Sequence, residues 1–503
     1  MFTVPDFDQD YSPGVFCGKR IIVTKTRILP PHECEDFFSK FNFLELARQI
    51  CGLAQCLVID KDAVLLGRFY TDRTLCIAIS LAIKYASRRA TGKQISIEDL
   101  KTIIEIAWGE DEKRLLKLKH PSEILNQTMN NQKTDEILYL LARYWCLFSC
   151  LWPSDSCGIA PMKIIEQNYG APYRVILLFT LAACKDGYLF VYENASEFSK
   201  YFGEGIDKDA HIRFLEHFSC SMDDWIKEDA PPQYVRTPIL RSGLVPDGMT
   251  KEVYFVPSCN YLIARVTAGM YHEMSDLYNC GPGKNEFKVM FGRVFEKYVF
   301  TLLNFYVKNR SISGAIKYGT KKNPKETVDF LLKRNQTLIM IEVKQASVYA
   351  KAQYTGDEVL LRSDLKKTVG KAVEQLCITD NLIKNGEKAL HEYHDCNQVK
   401  KMIILNTPLY NANNICKAII DDISKDIRDV FIINISEFES LLDLQSEKQD
   451  LWEMLEIKET KEYRDFDFTE FFYYAYPDRK DKAVFLKKYF NQIYEGTVLN
   501  SPG

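Results

Sequence analysis

One short run, Thr337-Leu338-Ile339-Met340-Ile341-Glu342-Val343-Lys344, constrains this chain more than any other. Its apolar and β-branched residues call for a buried strand, yet it carries a carboxylate and an ammonium two positions apart. Side chains alternate along a strand, so Glu342 and Lys344 share one face. The preceding segment, Thr327-Val328-Asp329-Phe330-Leu331-Leu332-Lys333, is a second run of β formers, and Arg334-Asn335-Gln336 between them is turn chemistry. Folding this hairpin about Asn335 sets Asp329 opposite Ile341 or Glu342. Two carboxylates and a lysine then converge at the end of an otherwise apolar hairpin. Carboxylates held this close repel, and one is driven to keep its proton unless a divalent cation neutralises the pair. An oxygen-lined site of this kind suits Mg²⁺ or Mn²⁺. Lys344 is then placed to orient an attacking water or to stabilise charge developing on a phosphate. Against this stands a plainer reading, a half-buried ion pair between Lys344 and one acid.

The flanking elements decide between the two. A helix is expected from about residue 286 to 307, with Arg293, Lys297, Asn304 and Lys308 as its solvated stripe. Glu296 lies outside that stripe, between Val299 and Leu303 on one side and Phe300 on the other. A carboxylate among apolar neighbours needs a cation, and taken alone an ion pair at the core edge accounts for it. After the hairpin a further helix, Ser363 to about Ile378, carries Lys367, Lys371 and Gln375-Leu376. Strands are expected at Lys401–Thr407 and Val430–Ile435.

The order of these pieces (Gly292-Arg293-Val294-Phe295-Glu296, Val328-Asp329, Glu342-Val343-Lys344-Gln345, then the Lys371/Gln375 helix) resembles the core of the PD-(D/E)xK, or restriction-endonuclease-like, nuclease superfamily. The resemblance covers residues 281–445 and departs from the motif in placing Val328 where the name-giving proline stands. It implies a restriction-endonuclease-like α/β core with a small mixed sheet. It also implies Asp329 and Glu342 as metal ligands with the Val343 carbonyl, Glu296 as an accessory ligand and Lys344 as the catalytic lysine. Gln345, Lys371 and Gln375 would support the site. The implied activity is Mg²⁺-dependent hydrolysis of phosphodiester bonds in nucleic acid, with DNA the expected substrate and Mn²⁺ able to substitute. Defence against phage or mobile elements is a setting such enzymes serve. The alternative is a catalytically silent nucleic-acid-binding or scaffolding protein that keeps the fold.

The rest of the chain sets limits on this reading. Its 503 residues exceed one ordinary domain. Residues 1–235 read as a mainly α-helical region, making the whole α+β. In it Ser96 opens a helix, Asp135 caps another, helices run at 171–184 and 209–227, and short strands lie at 20–24 and 188–192. Residues 236–280, opening with Thr237-Pro238 and followed by Gly281-Pro282-Gly283, read as a linker with short strands and a helix. Residues 446–503 read as a helical extension packing on the nuclease-like domain. The net charge is −3, but residues 281–410 hold 22 Lys+Arg against 13 Asp+Glu, compatible with a phosphate-binding groove. Lys317, Lys321, Lys322 and Lys325 form a basic loop leading to Asp329, with Lys321 and Lys322 the expected phosphate contacts. The 15 cysteines include no Cys-x-x-Cys pair, so neither zinc nor an iron–sulfur cluster is expected. His391-Glu392-Tyr393-His394 lacks zincin spacing and reads as an exposed loop. No signal peptide and no membrane span are expected, which points to a cytoplasmic protein. A protein partner or oligomer, if there is one, would engage the helical region.

Overall fold

The computed structural model describes residues 26–59, 71–88, 92–115, 137–153, 159–192, 194–202, 205–227, 232–246, 249–279, 285–307, 311–345, 358–406, 409, 412–417, 425–446, 449–477 and 483–494. The fold is α+β, with a mainly helical first half and small mixed sheets. The expected strand at 20–24 and the cap at Asp135 lie outside the described residues. Among the described residues no helix is long and apolar enough to cross a membrane.

Local chemistry places the main elements. Ser96 Oγ accepts the N–H of Asp99 at 3.1 Å and starts the Ile97–Leu115 helix. Asn285 Oδ1 accepts the N–H of Lys288 at 2.9 Å and starts the Glu286–Tyr306 helix. That helix buries Phe287, Phe291, Val294, Phe295, Tyr298, Val299, Leu302 and Leu303, each worth roughly 1.5–3 kcal/mol in surface removed from water. The helix expected at 209–227 is shorter than the pattern implies. It ends at Phe218, because Ser219–Ser221 leaves it as a strand and Ser221 Oγ caps a new short helix at Met222–Trp225.

Strands β1 (Tyr188–Phe190), β2 (Ser219–Ser221), β3 (Ile239–Arg241) and β4 (Val253–Phe255) form one four-stranded sheet in the order β1-β4-β3-β2. β3 and β4 lie within the expected linker, yet β4 pairs antiparallel with β1 and β3 parallel with β2. Backbone pairing therefore ties residues 239–255 into the first half of the chain.

Strands β5 (Ser311–Gly314), β8 (Phe330–Arg334), β9 (Thr337–Lys344), β10 (Gln398–Leu405) and β11 (Val430–Asn434) form the second sheet, ordered β11-β10-β9-β8-β5. β9, β10 and β11 run parallel, while β8 and β5 are antiparallel to their neighbours. The segment expected as a basic loop is instead a hairpin of its own, β6 (Lys317–Thr320) with β7 (Asn323–Glu326). The helix expected at 363–378 runs farther, from Glu358 to Lys384, with a wide π-type turn at Lys366–Gly370. One face of the five-stranded sheet (Ile339, Ile341, Val343) packs toward the Glu286–Tyr306 helix, and the other (Leu338, Met340) toward the Lys371–Lys384 helix.

The first of these cores does not stop at residue 281. It runs from Leu140 to Ile493, so helices Ile137–Trp145 and Tyr173–Asp186 share it with the five-stranded sheet. At its centre the Arg143 guanidinium grips Glu439 from Nε (2.8 Å) and Nη2 (2.6 Å) and also donates to Ser436 Oγ at 2.8 Å. Tyr298 donates its hydroxyl to the same Glu439 carboxylate at 2.5 Å. The C-terminal extension packs on this core through Trp452, Phe468 and Phe485, and also on the first half: Trp145 Nε1 donates to Gln492 at 3.0 Å and Arg174 to the Ile493 carbonyl at 2.9 Å. A second core, centred on Phe38, Phe43, Leu75 and Ile103, fills the space among the earliest helices and β2–β4.

Two predictions follow from burial. Arg143→Met leaves Glu439 buried without its cation and should cost about 3–5 kcal/mol in urea unfolding, a loss below about 1 kcal/mol being incompatible with the pair as described. His211 is fully buried among Phe179, Phe198, Phe202 and Phe214, and burial depresses its pKa to about 4. Its unfolded value lies higher, so the unfolded state takes up the proton first. Stability is therefore full above pH about 6.5 and falls as pH drops toward 4, by at most about 3 kcal/mol. His211→Phe should flatten that part of the stability–pH curve.

Candidate active site

The hairpin closes as the sequence implies, and its turn explains how. Asn335 takes a left-handed conformation, φ 52°, which asparagine tolerates better than most residues. The register pairs Phe330 with Ile341, so the next step sets Asp329 opposite Glu342. Asp329 is pinned there: the N–H of Val343 donates to its Oδ2 at 2.7 Å. By alternation Glu342 and Lys344 share the face of Leu338 and Met340, and Lys344 Nζ lies 2.5 Å from Glu342 Oε1. The Glu342 side chain is only 6% exposed, and its second oxygen, Oε2, is buried without a hydrogen-bond partner among the described residues.

Glu296 arrives from the Glu286–Tyr306 helix and joins this group electrostatically. Burial first, and the Asp329 carboxylate second, push Glu296 up to about 7, with Lys344 and Arg293 pulling the other way. The same two causes push Glu342 up to about 7, opposed by Lys344. Burial also raises Asp329, against the Val343 N–H and the Lys344 ammonium. Asp329 and Glu342 beside the one lysine are short of positive charge. Gln345 follows directly, its side chain lying over Gly292 one helical turn before Glu296; a Cβ there would sit 3.7 Å from the Gln345 carboxamide carbon.

The supporting residues divide. Gln375 donates to the carbonyl of Glu326 at 2.6 Å, so it holds the base of the β6–β7 hairpin and does not reach the carboxylates. Lys371 is exposed and makes no ion pair among the described residues. Lys321 and Lys322 stand at the hairpin's tip, and Tyr393 of the discounted His391–His394 segment is a buried anchor donating to or accepting from Ser313 Oγ at 2.8 Å. That segment is thus partly core, not wholly exposed.

Three residues escaped sequence reasoning. Asn406, at the end of β10, donates its main-chain N–H to the Lys344 carbonyl at 3.1 Å, and its buried carboxamide hydrogen-bonds the Tyr144 hydroxyl from the Ile137–Trp145 helix. Thr379 Oγ1 accepts the N–H of Val328, the residue before Asp329, at 3.1 Å. A lone Asn, Tyr or Thr carries no spacing signal, so only the assembled fold reveals them.

Among the described residues no group of three or more His, Cys, Asp or Glu side chains is arranged to hold a metal ion. The carboxylates that the hairpin itself brings together are Asp329 and Glu342, on either side of the Val343 main chain. The unpartnered Glu342 Oε2 and the surplus of negative charge fit a hard divalent cation. Comparison of the chain with protein-family models, curated proteins and solved structures returned no match.

The raised carboxyl of Glu342 sets a test. A folded value above the unfolded one means its stability contribution is full below pH about 4.5 and is lost as pH climbs through 7. Glu342→Gln should then stabilise the cation-free protein at pH 8 by about 1–3 kcal/mol and change little at pH 4.5, measured by denaturation in EDTA. Added Mg²⁺ should raise the melting temperature of the parent chain and not of the variant.

Proposed function

We propose that the chain is a divalent-metal-dependent nuclease that hydrolyses phosphodiester bonds of nucleic acid, with Asp329, Glu342 and Lys344 at its centre. The observation that carries this reading is the cross-strand pair Asp329/Glu342, buried beside Lys344, with one Glu342 carboxylate oxygen unpartnered among the described residues. The likeness of this arrangement to the PD-(D/E)xK core supports it as well.

Asp329 and Glu342, with the Val343 carbonyl, would hold Mg²⁺ or Mn²⁺. When bound, such an ion supplies Lewis-acid polarisation of a phosphoryl oxygen and a more acidic water. The chain's own groups do the rest. The Val343 N–H holds the Asp329 carboxylate in one orientation. Lys344, whose ammonium lies beside Glu342, would donate to the attacking water or to a non-bridging phosphate oxygen. Glu296, held near neutrality in its pKa, can take a proton at pH 7 or accept a hydrogen bond from water. Asn406 fixes the strand end that carries Lys344.

A second reading draws on the Lys344–Glu342 ion pair itself: a silent binding protein in which that pair is permanent. Incubating the full chain with plasmid, linear DNA and RNA, with Mg²⁺, with Mn²⁺ and with EDTA, separates the two. Cleavage should require the cation and should fall at least about 100-fold in Lys344→Ala and Asp329→Ala. Unchanged cleavage in either variant removes these residues from the site, and no cleavage of any substrate favours the silent reading.

A further inference from the structure

The β6–β7 hairpin has no packing reason to exist. Of its eight strand residues only Tyr318 is part-buried, and the other seven are exposed. A two-stranded ribbon without a core is marginal in water, so its shape is held from its base. There the N–H of Ile316 donates to Thr327 Oγ1 at 2.9 Å, the N–H of Thr327 to the Ile316 carbonyl at 3.0 Å, and Gln375 to the Glu326 carbonyl at 2.6 Å. Two residues beyond that base the chain enters Val328-Asp329. The ribbon is thus a rigid projection rooted beside the candidate site.

Its chemistry is one-sided. Lys317, Lys321, Lys322 and Lys325 face a single acid, Glu326, which sits 3.9 Å from Lys317. Lys321, Lys322 and Lys325 make no ion pair among the described residues. The pairing Tyr318↔Lys325 and Thr320↔Asn323 puts a phenol, an ammonium, a hydroxyl and a carboxamide on one face. The opposite face carries Lys317↔Glu326 and the flat pair Gly319↔Pro324. Pro324 and the lysines also keep the ribbon's edges from pairing with another sheet.

We infer that this ribbon is an arm that enters the major groove of a DNA duplex, its lysines on the two flanking phosphate rails and the Thr320/Asn323 face toward the base edges. Dimensions favour B-form DNA. The two strands of a ribbon lie about 5 Å apart, and the B-form major groove, about 12 Å wide, admits such a ribbon. The major groove of A-form RNA is too narrow for one. The arm rests on the nuclease reading for what happens to the bound strand, but its binding is measured separately.

The test uses the full chain in EDTA, with a DNA duplex, the single strand and an RNA duplex of matching sequence, each titrated over a range of salt. The triple variant Lys321→Ala/Lys322→Ala/Lys325→Ala should bind the DNA duplex about 10- to 100-fold more weakly, with a salt slope shallower by about 2–3. Its affinity for the single strand and for duplex RNA should change less than about 3-fold, and an unaltered melting curve would confirm that the exposed substitutions leave the fold intact. Unchanged affinity or slope on duplex DNA overturns the arm. So does an equal loss on all three ligands, which would mean unspecific charge, or a parent chain that binds none of them. Arm-dependent binding without cleavage in Mg²⁺ would leave the arm standing and sink the nuclease reading. Cleavage by a variant of unaltered affinity would do the reverse.

Discussion

The carboxylate of Glu439 is the point on which the two halves of this molecule meet. It takes hydrogen bonds from Arg143, contributed by the helical first half, and from Tyr298, on the helix that also carries Glu296. A buried carboxylate cannot be left with only one of these partners without a large desolvation penalty. The pair thereby fixes how the Ile137–Trp145 helix sits against the Glu286–Tyr306 helix, and that helix in turn sets Glu296 against the hairpin. The first half is accordingly part of the scaffold of the site. Tyr144, next to Arg143, extends the same link to Asn406 and to the main chain of Lys344.

The candidate site is the opposite case, a place where charge is left unbalanced. At Glu439 each carboxylate oxygen is matched; at Glu342 one oxygen is not, and Asp329 and Glu342 lie beside one ammonium. Stability alone would replace such a group by apolar side chains, since buried unpaired charge only costs. Keeping it is intelligible when something outside the chain completes it.

Much of this was legible in the sequence because the information was local. The hairpin register follows from Asn335 and from alternation, and both strands had the composition of strands. The Glu286–Tyr306 helix showed its solvated stripe. What failed was tertiary. Short strands were expected between 236 and 280, and Val253–Phe255 is one of them, but no local pattern displays the pairing that joins it and Ile239–Arg241 to 188–190 and 219–221 in one sheet. The basic segment at 317–326 lacks apolar residues, so no alternation announced a hairpin. Gln375 sits on the expected helix yet turns to the base of that hairpin, because backbone carbonyls compete for its donor as well as any site does.

The Asn335 turn has one more consequence. Asp329, Glu342 and Lys344 lie on a single hairpin whose ends close over a few residues, so their meeting needs little loop-closure entropy. Contacts of such low sequence separation form early, whereas Glu296, Asn406 and the Arg143–Glu439 link wait for distant segments to dock. The three residues of the candidate site thus form a local unit, and contacts from distant segments hold it in place.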